Sequence, residues 1–290
     1  MIPGPVQFLF SENINIYLQN LGNPSIDIFF KVITNAGSEQ AYIFLASLIF
    51  WCCNKNIGIR TMYIILFSAM AAILAKNIFG LPRPPVYLHK VQESDFGFPS
   101  GHALVSSGFW GYLGGKTKNR FVAFGGAAAI FLISVSRIYL GVHYAGDVIG
   151  GIFVGLLAAF LYLKLEPMIN RLGSVRISQY LIAVAVIFVL TATIQRSLVR
   201  EQMEIGIVMA SISVGYIIEE EHIGLADPKN NKQRIKRAIV GVFLLTVIYS
   251  ISYLLFSDNI FFKYPSLGLT TTLLAPWVFT GMESGSREQC

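Results

Sequence analysis

Six residues with chemistry to offer stand among long apolar runs in the first half of the chain: Lys76, Arg83, His102, Arg137, His143 and Asp147. Ionisable groups in or beside apolar spans are costly and tend to be functional. Lys76, Arg83 and Arg137 supply three positive charges, enough to surround a tetrahedral dianion, and the forked donors of arginine match phosphate oxygens. Ser100 and Gly101 precede an apolar helix start, where free backbone N–H groups and the positive dipole end favour an anion. Gly101 admits close backbone approach. His143 and Asp147 are four residues apart, so on a helix they share a face. A carboxylate bonded to one ring nitrogen fixes the tautomer and leaves the other nitrogen as a nucleophile. His102 then stands as a general acid for a leaving oxygen. Each residue also has a commonplace reading by itself: a snorkelling lysine, a headgroup-anchoring arginine, a serine N-cap, a structural His–Asp pair. The combination carries the signal.

The elements that must position these residues are membrane helices. Of 290 residues, 54% are hydrophobic and only 13% charged, with a mean hydropathy of +0.60. A soluble domain carries about 25% charged residues, so a soluble globule and a disordered chain are both excluded. The apolar stretches are continuous, not alternating, which argues against a transmembrane β-barrel. The reading is an all-α polytopic membrane protein with about nine transmembrane helices. The spans fall at Ala41–Cys53, Ile57–Phe79, Ala103–Gly114, Phe121–Leu140, Val148–Leu163, Tyr180–Ile194, Ile205–Ile218, Ala238–Phe256 and Ile260–Thr280. Several fall short of the ~20 residues a bilayer core requires, so their ends are expected to extend into flanking polar residues. The last span contains Pro265 and Pro276. Ahead of the first, Phe8–Gly37 mixes polar and apolar residues, with Ile26, Phe29, Phe30 and Ile33 at helical spacing, and reads as one or two amphipathic interfacial helices or a short entry helix.

Charge placement orients this layout. Alternate connections place 13 of the 22 basic residues on one side and 8 on the other, with Arg287 in the C-terminal tail. The first side, with Lys55, Arg60, Lys116, Lys118, Arg120 and the Lys229–Arg237 cluster, is cytoplasmic by the positive-inside rule. The second side includes Lys76, Arg83, Lys90, Arg137 and Arg196, so residues 80–100 and 140–147 face away from the cytoplasm. The net charge of +6 is explained by these loops and gives no reason to expect nucleic acid as a partner. Cys52, Cys53 and Cys290 form no disulfide framework or metal site, although Cys52 and Cys53 are placed for juxtamembrane palmitoylation. Glu219-Glu220-Glu221-His222 is expected to be a solvated cytoplasmic loop, a metal site being the alternative. The N-terminus lacks the basic-then-apolar pattern of a signal peptide.

Taken in order, Lys76-x6-Arg83-Pro84, Pro99-Ser100-Gly101-His102 and Ser136-Arg137-x5-His143-x3-Asp147 resemble the three-part signature of the type 2 phosphatidic acid phosphatase superfamily, with eleven fixed positions matched. The direct resemblance covers about Lys76–Asp147, and residues beyond about 165 resemble no known family. It implies a helical phosphatase core, metal-independent phosphoryl transfer without a cofactor, and a phosphohistidine on His143 with Asp147 as its partner and His102 as acid. It further implies that Lys76, Arg83, Ser100, Gly101 and Arg137 bind the phosphate. The expected substrate is a phosphomonoester or diphosphate of a membrane lipid: phosphatidate, phosphatidylglycerophosphate, polyprenyl diphosphate or a sphingoid phosphate. The span layout is also similar to the glucose-6-phosphatase branch, which makes a sugar phosphate the enzymatic alternative. A catalytically silent transporter or lipid-binding protein on the same scaffold is the alternative of another class. The expected organisation is an interfacial segment (1–37), a phosphatase core (38–194), additional transmembrane helices (195–282) and a tail (283–290).

Overall fold

The computed structural model of the protein describes residues 8–192, 199–256 and 259–284. Arg196, Arg287 and Cys290, invoked above, lie outside the described residues. All regular structure among the described residues is helical. The helices are α1 (Asn13–Asn20), α2 (Pro24–Ala36), α3 (Glu39–Cys52), α4 (Lys55–Phe79), α5 (Gly101–Thr117), α6 (Arg120–Tyr139), α7 (Ala145–Asn170), α8 (Ser174–Ala192), α9 (Val199–Ile218), α10 (Asn231–Phe256), α11 (Ile260–Leu269) and α12 (Ala275–Ser284). Six of them, α4 and α6 to α10, are long and apolar enough to cross a membrane.

The helix ends follow local chemistry. Asn23 caps α2 by accepting from the Ile26 amide, Pro24 opens the first turn and Asp27 sits at its positive end. Asn119 caps α6 in the same way through the Phe121 amide. Several helices run past the apolar runs, as their length demanded: α7 begins at Ala145 and ends at Asn170, and α10 begins seven residues before Ala238, at Asn231. Phe8–Gly37 contains two helices, α1 and α2. The proline-bearing last run is helical, and a five-residue π-segment, Thr270–Leu274, joins α11 to α12. Such a segment redistributes the hydrogen bonds that Pro276 cannot make.

The chain divides into two compact units, one of residues 1–44 and 61–165, the other of 45–60 and 166–290. In the first unit α5 is the central helix, with Ala103 to Phe109 and Tyr112 all buried. Two glycines on α7 let its backbone meet α5: a Cβ on Gly151 would lie 2.6 Å from the Ser100 carbonyl oxygen, and one on Gly155 2.3 Å from that of Leu104. Small residues four apart are the usual means of close helix contact in membranes. This contact sets the start of α5 beside the start of α7. A polar tie, Tyr42 Oη to Ser106 Oγ at 2.9 Å, fixes the middle of α5.

In the second unit the core is organised by Trp51, whose indole N–H donates to the Thr271 carbonyl at 2.8 Å and whose ring meets Phe279 edge-on. Buried Arg237 makes a two-pronged pair with Glu283 (2.8 and 2.9 Å) and donates to the carbonyls of Trp51 and Ala226. The acidic run at 219–221 is not a solvated loop. Glu219 to Ile223 form a π-turn ending at Gly224, Glu219 is fully buried, and Lys55 pairs with Glu219 at 2.6 Å and Glu220 at 2.7 Å. The lysine offsets the unfavourable placement of acids at a helix C-terminus. Glu219 also accepts from the Leu225 amide. Cys52 is buried and Cys53 exposed.

Candidate active site

All eight residues singled out by the sequence lie in the first unit. Gly80, with φ +57°, ends α4, and the proline-rich run 82–85 prevents the helix from resuming. Residues 81–97 form a loop closed at its base by the Gly97 amide donating to the Leu81 carbonyl at 2.8 Å. The loop presents Arg83 to the turn 140–144. One Arg83 Nη donates to the Val142 carbonyl at 2.7 Å and lies 3.1 Å from His143 Nε2. A guanidinium can only donate, so Nε2 is the acceptor and Nδ1 carries the ring proton. Nδ1 faces Asp147 Oδ2 at 3.4 Å, an electrostatic contact longer than a normal hydrogen bond.

His143 is not on a helix. It sits in the turn before α7, so it meets Asp147 through the turn and not through an i,i+4 face. Asp147 lies in the first turn of α7 and accepts from the Tyr144 amide at 2.8 Å, while its own carbonyl accepts from the Ser100 amide at 3.0 Å. The second bond joins the Ser100–His102 block to the His143 block. Ser100 occupies the N-cap position of α5 without making the cap bond. Its buried hydroxyl and the buried Nε of Arg137 have no hydrogen-bond partner among the described residues. Both atoms lie beside the three cations and are available to an incoming anion. His102, in the first turn of α5, lies within electrostatic range of Lys76, Arg83, Arg137 and His143.

The three cations converge through two carboxylates that the sequence reading did not single out. Asp95 pairs with both Lys76 and Arg83. Glu93 pairs with Arg137 and, at 3.3 Å, with Arg83. Arg137 also donates to Thr34 Oγ1 at 2.8 Å. A signal for these acids was available: they are the only Asp or Glu residues between Lys76 and Asp147. Burial raises the Asp95 pKa, but the charges of Lys76 and Arg83 outweigh it and hold the carboxyl below its usual range. Burial, followed by the fields of Arg83, Arg137 and Lys76, pushes the His143 imidazole well below its usual value. His143 is therefore neutral at pH 7, the state in which Nε2 has a free electron pair. Residues that could group around a metal ion are absent among the described residues. The surface beside the loop is apolar: Ile78, Phe79, Val86 and Tyr87 are all more than half exposed.

Comparison with known proteins places this arrangement among relatives. The family model described as PAP2 superfamily matches residues 58–171, and that described as PAP2 superfamily phosphatase, transmembrane extension, matches residues 203–287. The second match supplies a relationship for the region beyond 165, where the sequence resembled no known family. A probable sphingosine-1-phosphate phosphatase of Dictyostelium discoideum is 28% identical over 49% of this chain and 39% of its own length. An undecaprenyl-diphosphatase of Sulfolobus acidocaldarius is 30% identical over 46% of this chain and 68% of its own. Phosphatidylglycerophosphatase B of Bacillus subtilis is 34% identical over 30% of this chain and 47% of its own. The chain thus spans less than half the length of two of these three relatives. The crystal structure of a transmembrane PAP2 type phosphatidylglycerolphosphate phosphatase from Bacillus subtilis superposes with a TM-score of 0.50 at 23% identity, covering 58% of this chain and 90% of that one. That likeness concerns the fold.

Proposed function

Because this chain belongs to the PAP2 superfamily, we propose that it is an integral membrane phosphatase that removes phosphate from a lipid phosphomonoester or diphosphate. The observation that carries the reading is the setting of His143: a neutral imidazole with Nδ1 toward Asp147 and Nε2 toward Arg83, beside three cations and two unpartnered buried donors. Phosphate oxygens replace Glu93 and Asp95 on Lys76, Arg83 and Arg137 and accept from the Ser100 hydroxyl and the Gly101 backbone. The anionic substrate offsets the field of the three cations and allows His102 to bind a proton; His143 Nε2 then attacks phosphorus, the bond to the leaving oxygen breaks, and the His102 imidazolium delivers its proton to that oxygen. His102 then takes a proton from water, which attacks phosphorus, breaks the N–P bond and releases inorganic phosphate. The fixed cations and the α5 N-terminus stabilise charge on the equatorial oxygens, the largest expected contribution in such chemistry. They do the neutralising that metals do in other phosphoryl-transfer sites.

The exposed Ile78, Phe79, Val86 and Tyr87 favour a substrate whose tail lies in the membrane and whose phosphate sits at headgroup depth. Phosphatidate, phosphatidylglycerophosphate, polyprenyl diphosphate and sphingoid phosphates meet this description. The membrane-spanning count is nine: besides the six long helices, α3, α5 and the continuous run of α11, its π-segment and α12 cross. The core of 38–194 then performs the chemistry, and the helices of 195–282 are additional membrane spans. The active site opens on the non-cytoplasmic side, as the distribution of basic residues indicates.

Purified protein should release phosphate from a panel of these lipids in excess EDTA, and vanadate should inhibit as a transition-state mimic. Acid-quenched enzyme should carry phosphohistidine at His143, absent from His143→Ala. In His102→Ala it should accumulate from an activated aryl phosphate, whose leaving oxygen needs little protonation. Loss of activity on chelation, restored by Mg²⁺, or a phosphoenzyme mapped to His102, rejects the mechanism. For sidedness, cysteines replace Ser94 and Asn119 singly in a chain lacking Cys52, Cys53 and Cys290. An impermeant thiol reagent on intact cells should label position 94 and spare 119; the reverse pattern inverts the topology.

A further inference from the structure

The turn that carries His143 is held by a helix outside the signature. Asn15, on α1, is fully buried. Its single amide nitrogen donates to the Ile138 carbonyl at 2.8 Å and to the His143 carbonyl at 3.0 Å. One turn later on the same helix, Gln19 Nε2 donates to the carbonyls of Tyr139 and Leu88, both at 2.8 Å. Gly141, with φ +75°, completes the fit, because a Cβ there would lie 2.0 Å from the Leu88 carbonyl oxygen. The Lys90 amide donates to the Leu140 carbonyl at 2.9 Å, and Arg83 holds that of Val142.

We propose that Asn15, assisted by Gln19, is a positioning residue for the phosphoryl-transfer step, setting the aim of the His143 imidazole by fixing the main chain on both sides of the turn. The physical case has three parts. The carbonyls of Ile138 and Tyr139 belong to the last turn of α6, where intrahelical donors run out; that of Ile138 also accepts from the Gly141 amide at 3.0 Å. A primary amide is the uncharged side chain that offers two donors from one atom. Here both are spent on carbonyls five residues apart, at the entry to the turn and at His143 itself. The ring of His143 is otherwise oriented by the 3.4 Å contact to Asp147 and by Arg83, whose donors the substrate phosphate also needs. The hold from Asn15 does not depend on the substrate and persists when Arg83 turns to the phosphate.

This inference rests on the reading of His143 as nucleophile, and the experiment separates the two. Full-length enzyme is mixed with an activated aryl phosphate, and the rate of phosphohistidine formation is measured by acid quench, alongside inhibition by inorganic phosphate and thermal unfolding. Wild-type enzyme that forms no phosphohistidine counts against the reading of the site itself. With wild type active, Asn15→Leu, similar in size and without donors, should form phosphohistidine about 10–100-fold more slowly, the scale of a nucleophile misplaced by about 1 Å. Inhibition by inorganic phosphate should stay within about threefold, because Lys76, Arg83 and Arg137 keep their places. Asn15→Asp, isosteric but without the donors, should behave alike. An unchanged rate per folded molecule with a lowered melting temperature overturns the proposal, since the amide would then serve only the fold. A parallel loss of rate and phosphate affinity also overturns it, since the whole site would have moved. Where the Asn15 variants do not fold, Gln19→Leu decides: a rate loss of about three- to tenfold at constant phosphate affinity supports the proposal, and an unchanged rate overturns it.

Discussion

Both units of the molecule bury cations, and they do so in opposite ways. In the second unit Arg237 is matched by Glu283, Lys55 by Glu219 and Glu220, and Arg60 by Glu166. Three cations there meet four carboxylates, and each pairing ties one segment of that unit to another. In the first unit Lys76, Arg83 and Arg137 share only two carboxylates, Glu93 and Asp95, both on an irregular loop. With Asp147, which lies within electrostatic range of Lys76 and Arg83, the charges balance, but a serine hydroxyl and an arginine N–H beside His143 have no partner among the described residues. A closed pair holds a fold together, whereas a cluster that shares its carboxylates and keeps spare donors is open to an incoming anion. Burial and ion pairing alone do not distinguish the two clusters; the sharing of carboxylates and the leftover donors do.

The comparison breaks or sharpens most clearly at its two arginines. Arg83→Met should lower kcat/KM per folded molecule by about 10²–10³-fold, the typical loss for removing one group aimed at transition-state charge, with a loss of melting temperature as well, because Asp95 then keeps only Lys76. Arg237→Met should leave kcat/KM per folded molecule unchanged and destabilise by about 3–5 kcal/mol, because it strands the partner of a largely buried pair. Activity per folded molecule, measured with thermal unfolding on both variants, provides the check; an unchanged value in Arg83→Met or a lowered one in Arg237→Met would dissolve the distinction. A smaller effect is expected at the carboxylates. Asp95→Asn removes a competitor for Lys76 and Arg83, and inhibition by inorganic phosphate should tighten by about three- to tenfold, roughly 1 kcal/mol. Glu283→Gln should leave that inhibition unchanged. Weaker phosphate binding in Asp95→Asn would mean that the carboxylate organises the cations instead of competing for them.

The smallest expected effect concerns pH. The Asp95 carboxyl is held below its unfolded value of ~3.9, so its pairs contribute stability that is complete above that pH and lost as pH falls through the lowered folded value. Thermal unfolding followed from pH 5 to pH 3 should show this acid step in wild type and a shallower one in Asp95→Asn. Identical slopes would show that the Asp95 pairs contribute little.

What the sequence determined by itself was the helical membrane character and the choice of candidate site residues. Low charge density and continuous apolar runs admit few other architectures, and Lys, Arg and His in or beside such runs are costly enough to stand out. Even the prolines after Arg83 were legible, because a ring without an N–H ends a helix in any context. Other features depended on contacts between residues far apart in the chain. The sequence suggested that His143 and Asp147 share a helix face, but the turn before α7 sets their approach. Ser100 reads as an N-cap, but its hydroxyl makes no cap bond and remains free for a ligand. Glu219 reads as a solvated loop residue, yet it is buried because Lys55, 164 positions earlier, closes on it. Asn15 and Gln19 are unremarkable polar residues on a short helix until α6 and the His143 turn bring carbonyls to them. Composition and local spacing reveal which groups are expensive to bury. Only the tertiary structure decides which of those groups are compensated, because the compensating atom is chosen by packing and not by neighbourhood in sequence.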